Sequence, residues 1–239
     1  MTFKPLIALT LLILSITSLA KESISIEALA DNERVLVIKD SFYYLENSAA
    51  YIGEDEIILL GATWSPKTAM LLHQELQSRF DKPVTAVINT NYHPDRAGGN
   101  AYWRRQGIDV YATQKTYDLM KSSFASMVEK MKTMLDGYPD IPLALPNKII
   151  KDNDELLAGT IQTLYLGESH TSDGIMVYMP EEKVLYASCI LKRKLGNLSD
   201  ANIEEYPQTL QKLKDLNLDI KTINAGHDEA INSPDLIDH

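Results

Sequence analysis

Short apolar runs separated by turn residues dominate most of the chain, and longer stretches between them carry helical periodicity. The short runs predict strands at 35–39, 42–45, 49–52, 57–60, 84–88, 107–112, 148–150, 160–166, 174–179, 183–187 and 220–225. Apolar residues spaced three or four apart predict helices at 66–80, 97–105, 113–135 and 202–216, and a last short one from 233. This order predicts two similar halves in the α/β class, forming a four-layer αβ/βα sandwich.

Two helices carry further local signals. Ser65 is expected to cap the helix at 66–80, with Pro66 as its first residue. His73 stands among polar neighbours on that helix, which predicts a surface position. The methionine-rich stripe of the helix at 113–135 indicates core packing or a flexible cleft wall.

Residues 1–20 differ in character from the rest. Lys4 precedes an apolar run at 6–16, and Ser18-Leu19-Ala20 offers the small residues of a cleavage site. These features predict a secretory signal peptide, with a membrane-spanning anchor as the alternative. The remainder, 21–239, is expected to form a single domain, and the signal places it in the periplasm.

Charge and cysteine usage narrow the function. The formal net charge is −10, or −11 once Lys4 is removed, which argues against nucleic acid or an anionic membrane as a partner. Cys189 is the only cysteine, so no disulfide can form within the chain. A lone thiol in an oxidising compartment is expected to be buried or held by a metal.

Polar residues gather where the strand at 84–88 ends. Asn91, His93 and Asp95 occupy alternate positions, and residues two apart in extended chain project to the same side. Gly98 and Gly99 follow and permit tight backbone. Alone, this stretch is equally consistent with a hydrogen-bonded loop pair.

Three later residues also follow predicted strands directly: His170, Cys189 and His227. Each by itself could be a buried thiol or a loop histidine. Asp95, Cys189 and His227 together would supply one oxygen, one sulfur and one nitrogen donor. Three protein ligands with one open position are typical of catalytic zinc, and a thiolate favours zinc over magnesium or calcium.

With these residues in place, the chain resembles a class B metallo-β-lactamase, in particular the carbapenem-selective subclass that works with one zinc. The resemblance runs over nearly the whole of 21–239. It is carried by Gly61-Ala62-Thr63-Trp64, the run from Asn89 to Asn100 with Tyr102-Trp103, Asp118-Leu119-Met120, Cys189-Ile190-Leu191-Lys192 and Lys194-Leu195-Gly196-Asn197.

Asn91 is the sharpest mark of that subclass. Most class B enzymes have a histidine there, which completes a second zinc site with residues matching His93 and His170. The resemblance therefore implies that Asp95, Cys189 and His227 hold the working zinc and that a second zinc at His93 and His170 would be weak and inhibitory.

The resemblance also assigns substrate contacts on a bicyclic β-lactam. Lys192 matches the residue that receives the substrate carboxylate, and Asn197 matches one that contacts substrate near the lactam carbonyl. Asn91 is placed with them on the substrate side.

Released from metal binding, His93 is expected to act as general base and His170 to orient water or substrate, with Asp95 as a rival base.

Two rival functions stay open. One is a hydrolase of the same fold acting on another ester, thioester or lactone; the other is a non-catalytic periplasmic zinc-binding protein. Pro94 departs from the family pattern, because a small polar residue is expected there, and it should stiffen the loop. The protein is expected to be a monomer acting on a small-molecule substrate.

Overall fold

The computed structural model describes residues 23–29, 32–157 and 159–238. The segment predicted as a signal peptide, 1–20, lies outside them, and so does His239. The strands of the described residues are β1 (Ile24–Leu29), β2 (Asn32–Asp40), β3 (Glu46–Ile52), β4 (Ile57–Leu60), β5 (Val84–Ile88), β6 (Asp109–Thr113), β7 (Lys148–Ile150), β8 (Glu155–Leu156), β9 (Ile161–Leu164), β10 (Met176–Met179), β11 (Val184–Ser188), β12 (Thr222–Ala225) and β13 (Ile231–Asn232).

Helices occupy the segments between the strands. They are α1 (Pro66–Arg79), α2 (Pro94–Ala97), α3 (Asn100–Arg105), α4 (Gln114–Met134), α5 (Tyr206–Asp215) and a closing 3₁₀ helix at Pro234–Asp238. Ser65 caps α1 as predicted: its Oγ accepts from the Thr68 backbone N–H at 3.2 Å, and the Thr68 Oγ accepts from the Ser65 N–H at 3.1 Å. Among the described residues, none of the helices has the length and apolar character needed to cross a bilayer.

The strands form two sheets. The first has the order β1-β2-β3-β4-β5-β6-β7, and the second has the order β13-β12-β11-β10-β9-β8. Strands β1 to β4 pair antiparallel, whereas β4 to β7 are parallel and are connected through helices.

Apolar side chains from both sheets share one core, which includes Val37, Ile88, Val177 and Tyr186. A second cluster packs α1 and α3 on the outer face of the first sheet, and a third packs α5 on the outer face of the second. The order of layers is therefore helices, sheet, sheet, helices. This confirms the predicted αβ/βα sandwich.

The segment 42–45, predicted as a strand, is instead a bend between β2 and β3. Its Phe42 N–H donates locally to buried Asp40 at 3.1 Å, and its Tyr44 carbonyl accepts from the distant Trp64 indole at 2.8 Å. Tyr43 stacks edge-on against Tyr138, with ring centroids 4.9 Å apart. These distant partners, which periodicity does not reveal, prevent a ladder from forming.

The other differences from prediction are local. The helix expected at 97–105 is split into α2 and α3 around Gly98 and Gly99. His73 is buried rather than on the surface, because Tyr102 and Trp103 of α3 cover it; its Nδ1 lies 3.0 Å from the Tyr102 hydroxyl. The short strands β1, β8 and β13 were not predicted.

Candidate metal centre

Three strands of the second sheet end at the same edge, and a predicted site residue follows each of them. Strands β9 and β11 both run antiparallel to β10, and β12 runs parallel to β11. The carboxyl ends of β9, β11 and β12 therefore lie together, and His170, Cys189 and His227 follow them in the chain. Strand direction explains why residues so far apart in sequence meet.

Asp95 reaches the same edge from the first sheet. It is the second residue of α2, which begins at Pro94, so the proline occupies a first-turn position where its missing N–H costs nothing. The loop before α2 is tied across to the second sheet, because the Thr90 and Ser188 hydroxyls lie 2.7 Å apart and are buried.

The backbone just before Cys189 is held in an uncommon conformation. Ser188 has a φ of +50°, in the left-handed region that non-glycine residues rarely adopt. Its carbonyl accepts from the Gly226 N–H at 2.7 Å, and a side chain at Gly226 would overlap that carbonyl. The ends of β11 and β12 are thus held together, which places Cys189 beside His227.

The donor atoms of Asp95, Cys189 and His227 form a compact triangle. Asp95 Oδ2 lies 3.3 Å from Cys189 Sγ and 3.2 Å from His227 Nε2, and Sγ and Nε2 are 3.6 Å apart. Asp95 and Cys189 are buried, and the side chain of His227 is 14% exposed. Among the described residues, these three form the group of acidic, cysteine and histidine side chains that could hold a metal ion.

Arg96 lies against this triangle with a completely buried guanidinium. Its Nε donates to Cys189 Sγ at 3.3 Å, and its Nη2 lies 3.2 Å from Asp95 Oδ2 and donates to the Gly226 carbonyl at 2.8 Å. Burial acts to raise the pKa of Cys189, but Arg96 and His227 together outweigh it and lower that pKa. Burial also acts to raise the pKa of Asp95, which Arg96 and His227 hold well below its usual range. Arg96 thus favours the thiolate and the carboxylate, the forms that bind metal.

His227 is oriented by the backbone on its other side. Its Nδ1 lies 3.0 Å from the Leu45 carbonyl, so that nitrogen carries the proton and Nε2 faces the triangle. Burial acts to lower its pKa, but Cys189 and Asp95 raise it to about 10. The two anionic side chains thus create a strong local preference for a positive charge.

His93 and His170 form a second group beside the triangle. Their rings meet edge to face, with centroids 5.4 Å apart. Burial lowers the pKa of both; in His170, where Lys192 and His93 add to the effect, it falls to about 2. The Nε2 of His93 makes no hydrogen bond with any described residue, and Asp200 Oδ2 lies 3.9 Å from it.

The predicted substrate residues are placed differently from one another. Lys192 Nζ lies 3.3 Å from His170 Nδ1, and burial lowers the pKa of Lys192. Asn197 is exposed at the rim, where its Oδ1 accepts from the Ser199 N–H at 2.9 Å. Asn91 is buried, and its Oδ1 accepts from the His93 N–H at 2.9 Å. That amide therefore shapes the loop and does not face the cavity.

A cavity of about 440 Å³ opens over both groups. One side is polar and includes Asp95, His93, His170, Lys192 and His227. Another part of the lining is apolar and consists of Trp64, Met127, Met131, Met134 and Leu135. A small ligand with one charged and one apolar face would fit this division.

Comparison with known proteins identifies the family. The model of the metallo-beta-lactamase superfamily matches residues 44–227. Metallo-beta-lactamase IND-1 of Chryseobacterium indologenes is 31% identical over 192 residues, covering 78% of this chain and 73% of that protein. The chain belongs to the metallo-β-lactamase superfamily. A second relative, the type 2 metallo-beta-lactamase of Bacteroides fragilis, is 31% identical over 182 residues, or 72% of this chain and 64% of that protein.

Solved structures agree on the fold. The metallo-beta-lactamase from Pontibacter korlensis superposes with a TM-score of 0.78 at 19% identity, covering 91% of this chain and 96% of that one. TMB-1 superposes with a TM-score of 0.76 at 20% identity, covering 90% and 94%. At such identity the superposition supports the metallo-β-lactamase fold alone.

The donor set fits the zinc that this superfamily implies. Zinc bonds of about 2.0 Å to oxygen and nitrogen and 2.3 Å to sulfur, at tetrahedral angles, would place oxygen and nitrogen about 3.3 Å apart and sulfur about 3.5 Å from each. The observed separations are 3.2 Å for oxygen to nitrogen, and 3.3 and 3.6 Å for sulfur to oxygen and to nitrogen. The triangle thus has the size of three tetrahedral zinc ligands.

The sequence reasoning missed residues behind and beside the centre. Glu46 and Arg96 are both fully buried and form an ion pair under the donor triangle. Asp200, on the cavity side, pairs with Lys130 at 2.7 Å. Arg96 could have been noticed in the sequence, because it is a charged residue directly after Asp95 in a loop with no other charged residue. Glu46 offered no comparable signal, since its partner lies in another element.

Proposed function

We propose that this protein is a zinc-dependent hydrolase of β-lactams that prefers carbapenems and works with one zinc. The observation that carries the proposal is the oxygen, sulfur and nitrogen triangle of Asp95, Cys189 and His227, which faces a cavity of substrate size. The relatives named above as metallo-beta-lactamases support β-lactams as the substrate class.

Asn91 supports the one-zinc, carbapenem-selective assignment. Asparagine is a poor zinc ligand, and here its Oδ1 already accepts the His93 N–H. His93 and His170 therefore lack a third imidazole at position 91. A second zinc would bind weakly at these two histidines and would inhibit by occupying them.

Zinc held by Asp95, Cys189 and His227 would act as a Lewis acid, stabilising the negative charge that develops on the leaving nitrogen of the lactam. Lys192 lies at the wall of the same cavity and would pair with the substrate carboxylate. Asn197 at the rim would contact the substrate near the lactam carbonyl.

His93 is suited to the role of general base. Its lowered pKa keeps the imidazole neutral at pH 7, and its Nε2 makes no hydrogen bond with a described residue. His170 is also neutral. Lys192 Nζ contacts its Nδ1 and holds the ring in place, so the imidazole can orient a water or the substrate. The Asp95 carboxylate is the weaker candidate base, since its pKa lies well below the usual range.

The setting of this activity is part of the same proposal. We place the protein in the periplasm as a monomer, with 1–20 as a cleaved signal peptide and 21–239 as one domain. Its partner would be a small β-lactam rather than nucleic acid or membrane, in keeping with the net charge of −10.

A stepwise zinc titration of metal-free protein tests this function, with a carbapenem and a chromogenic cephalosporin assayed side by side. We expect carbapenem turnover to peak at one equivalent of zinc and to fall with excess, with little turnover of the cephalosporin. Activity that rises up to two equivalents would reject the one-zinc mechanism. Activity toward neither substrate would leave a hydrolase of another ester, thioester or lactone, or a zinc-binding protein without catalysis.

A further inference from the structure

Glu46 is an acidic residue buried next to the metal centre without lying in it. Its side chain, like that of its partner Arg96, has no exposed surface. The carboxylate pairs with Nη1 of Arg96, and the Ser48 hydroxyl donates to Glu46 Oε2 at 3.0 Å. It is not among the residues that line the cavity. Glu46 therefore has no access to a substrate and can act only through its neighbours.

The other nitrogens of that guanidinium face the metal donors. As described above, Nε contacts Cys189 Sγ, and Nη2 contacts both Asp95 Oδ2 and the carbonyl before His227. One cation thus touches two of the donor atoms and the carbonyl of Gly226, the residue before the third ligand. On the far side, Nη1 pairs with Glu46, its charged partner there, and donates to the Asn47 carbonyl at 3.2 Å.

The start of β3 also contacts the His227 segment directly. The Leu45 carbonyl lies 3.0 Å from His227 Nδ1, and the Asn47 N–H donates to the Gly226 carbonyl at 2.8 Å. Glu46 lies between these two residues. A change in its side chain therefore acts at the point where the first sheet supports the ligands of the second.

Charge balance gives Glu46 a function beyond orientation. Unpaired charge is costly when it is buried, as the Arg96 guanidinium and the Glu46 carboxylate are. A zinc dication and Arg96 bring three positive charges, and the Asp95 carboxylate with the Cys189 thiolate brings two negative ones. The Glu46 carboxylate supplies the third, so the charges of zinc, Arg96, Asp95, Cys189 and Glu46 balance.

We propose that Glu46 is a positioning residue for the zinc site: its carboxylate orients Arg96 and completes the neutrality of the zinc-loaded centre. This inference rests on the proposed zinc site and goes beyond it, since it assigns zinc affinity to a residue that touches neither zinc nor substrate. Burial acts to raise the pKa of the Glu46 carboxyl, and the Arg96 guanidinium with which it pairs acts to lower it. Added positive charge from a dication favours the ionised carboxylate further.

Zinc affinity of the folded, metal-free protein is the decisive measurement, made by competition with a chromogenic chelator in the full chain and its Glu46→Gln variant. Glutamine preserves the size and one acceptor oxygen but removes the charge. We expect affinity to fall about tenfold or more, and we expect the absorption bands of the cobalt-substituted protein, which report the thiolate bond, to change. Glu46→Asp, which retains a carboxylate, should recover part of the affinity.

Glu182→Gln is the matched control. Glu182 is also a nearly buried carboxylate, with a 5% exposed side chain, and lies 3.6 Å from Arg34, an arginine outside the metal centre. Its loss should leave zinc affinity unchanged. If metal-free Glu46→Gln does not fold, Ser48→Ala replaces it as a test of the orienting role. It removes the hydroxyl that donates to Glu46 and lies 3.4 Å from Arg96 Nη1, and affinity should then fall severalfold.

The outcomes separate the two proposals. Unchanged affinity and an unchanged cobalt spectrum in Glu46→Gln would overturn the inference while leaving the zinc site intact. The same result in Ser48→Ala, where that variant replaces it, would overturn the orienting role. Equal losses in Glu46→Asp and Glu46→Gln would overturn the charge-balance argument. A wild-type chain that binds no zinc would instead reject the zinc site itself.

Discussion

The histidines around the cavity have opposite electrostatic environments. His227 lies within 3.6 Å of a thiol and a carboxylate that raise its pKa, whereas burial lowers the pKa of His93 and His170. The first environment attracts a cation, and the second keeps imidazoles neutral and able to accept a proton. The same side chain is thereby suited to metal binding at His227 and to proton transfer at the neighbouring His93 and His170.

At the residue scale, His93→Ala tests the assignment of the general base. Because general-base catalysis contributes about 10²–10⁴-fold, carbapenem turnover at one equivalent of zinc should fall by that factor. Zinc affinity should change little, since Asp95, Cys189 and His227 remain. Steady-state kinetics and chelator competition measure the two effects.

His73→Ala is the control for that variant. His73 is also buried, but it packs on Tyr102 and Trp103 rather than lining the cavity. The His73→Ala substitution should lower the stability of the folded protein and leave turnover per folded molecule unchanged. Near wild-type turnover in zinc-loaded His93→Ala would exclude His93 as the base.

At the scale of elements, the short helix α2 carries Asp95 and is held by close backbone packing. A Cβ at Gly98 would overlap the Trp64 carbonyl, and a Cβ at Gly99 would overlap the Ala62 carbonyl. The Ala62 N–H in turn donates to the Arg96 carbonyl at 2.9 Å. The two glycines therefore let α2 and α3 lie against the 62–64 segment, and this contact determines the position of Asp95.

Gly98→Ala should separate these backbones. Forcing a methyl group into a packed region costs about 1–3 kcal/mol, so the denaturant midpoint should fall, and zinc affinity should fall with it as α2 moves. Gly53→Ala is the control, because its nearest neighbour would be 3.3 Å away in a turn far from the site. A Gly98→Ala protein with wild-type stability and affinity would show that α2 tolerates the displacement.

At the scale of the whole molecule, the metal centre joins the two halves. Asp95 belongs to the half built on the first sheet, and Cys189 and His227 belong to the second. A zinc ion bound by all three would be a cross-link that only the folded chain can form completely. Zinc should therefore stabilise the entire sandwich rather than one loop.

Thermal unfolding with and without zinc tests that coupling. At a free zinc concentration 100 times the dissociation constant, the gain is about 2.7 kcal/mol, which corresponds to about 5–10 °C in Tm for a chain of this size. Chelator should reverse the gain, and Cys189→Ser should show a much smaller one. A zinc-independent Tm in the wild-type chain would contradict a metal bound between the halves.

The sequence by itself determined most of the elements and the fold class. Alternating or continuous apolar runs, the Ser65-Pro66 helix start and the order of strands and helices predicted the four-layer sandwich, because these signals depend on neighbours along the chain. It also singled out Asp95, Cys189 and His227, since chemically distinctive side chains directly after strands are visible without coordinates. The structure brings these three together, and their role as zinc ligands stays a prediction.

Only the tertiary structure decided which polar residues are buried and what they face. His73 is covered by a helix that follows it by more than twenty residues in the chain. The Tyr44 and Leu45 carbonyls of segment 42–45 accept from distant side chains rather than from a neighbouring strand. The ion pair of Glu46 and Arg96 joins residues 50 positions apart. Periodicity cannot report such contacts, because burial of a charge depends on a partner that only the folded chain brings near.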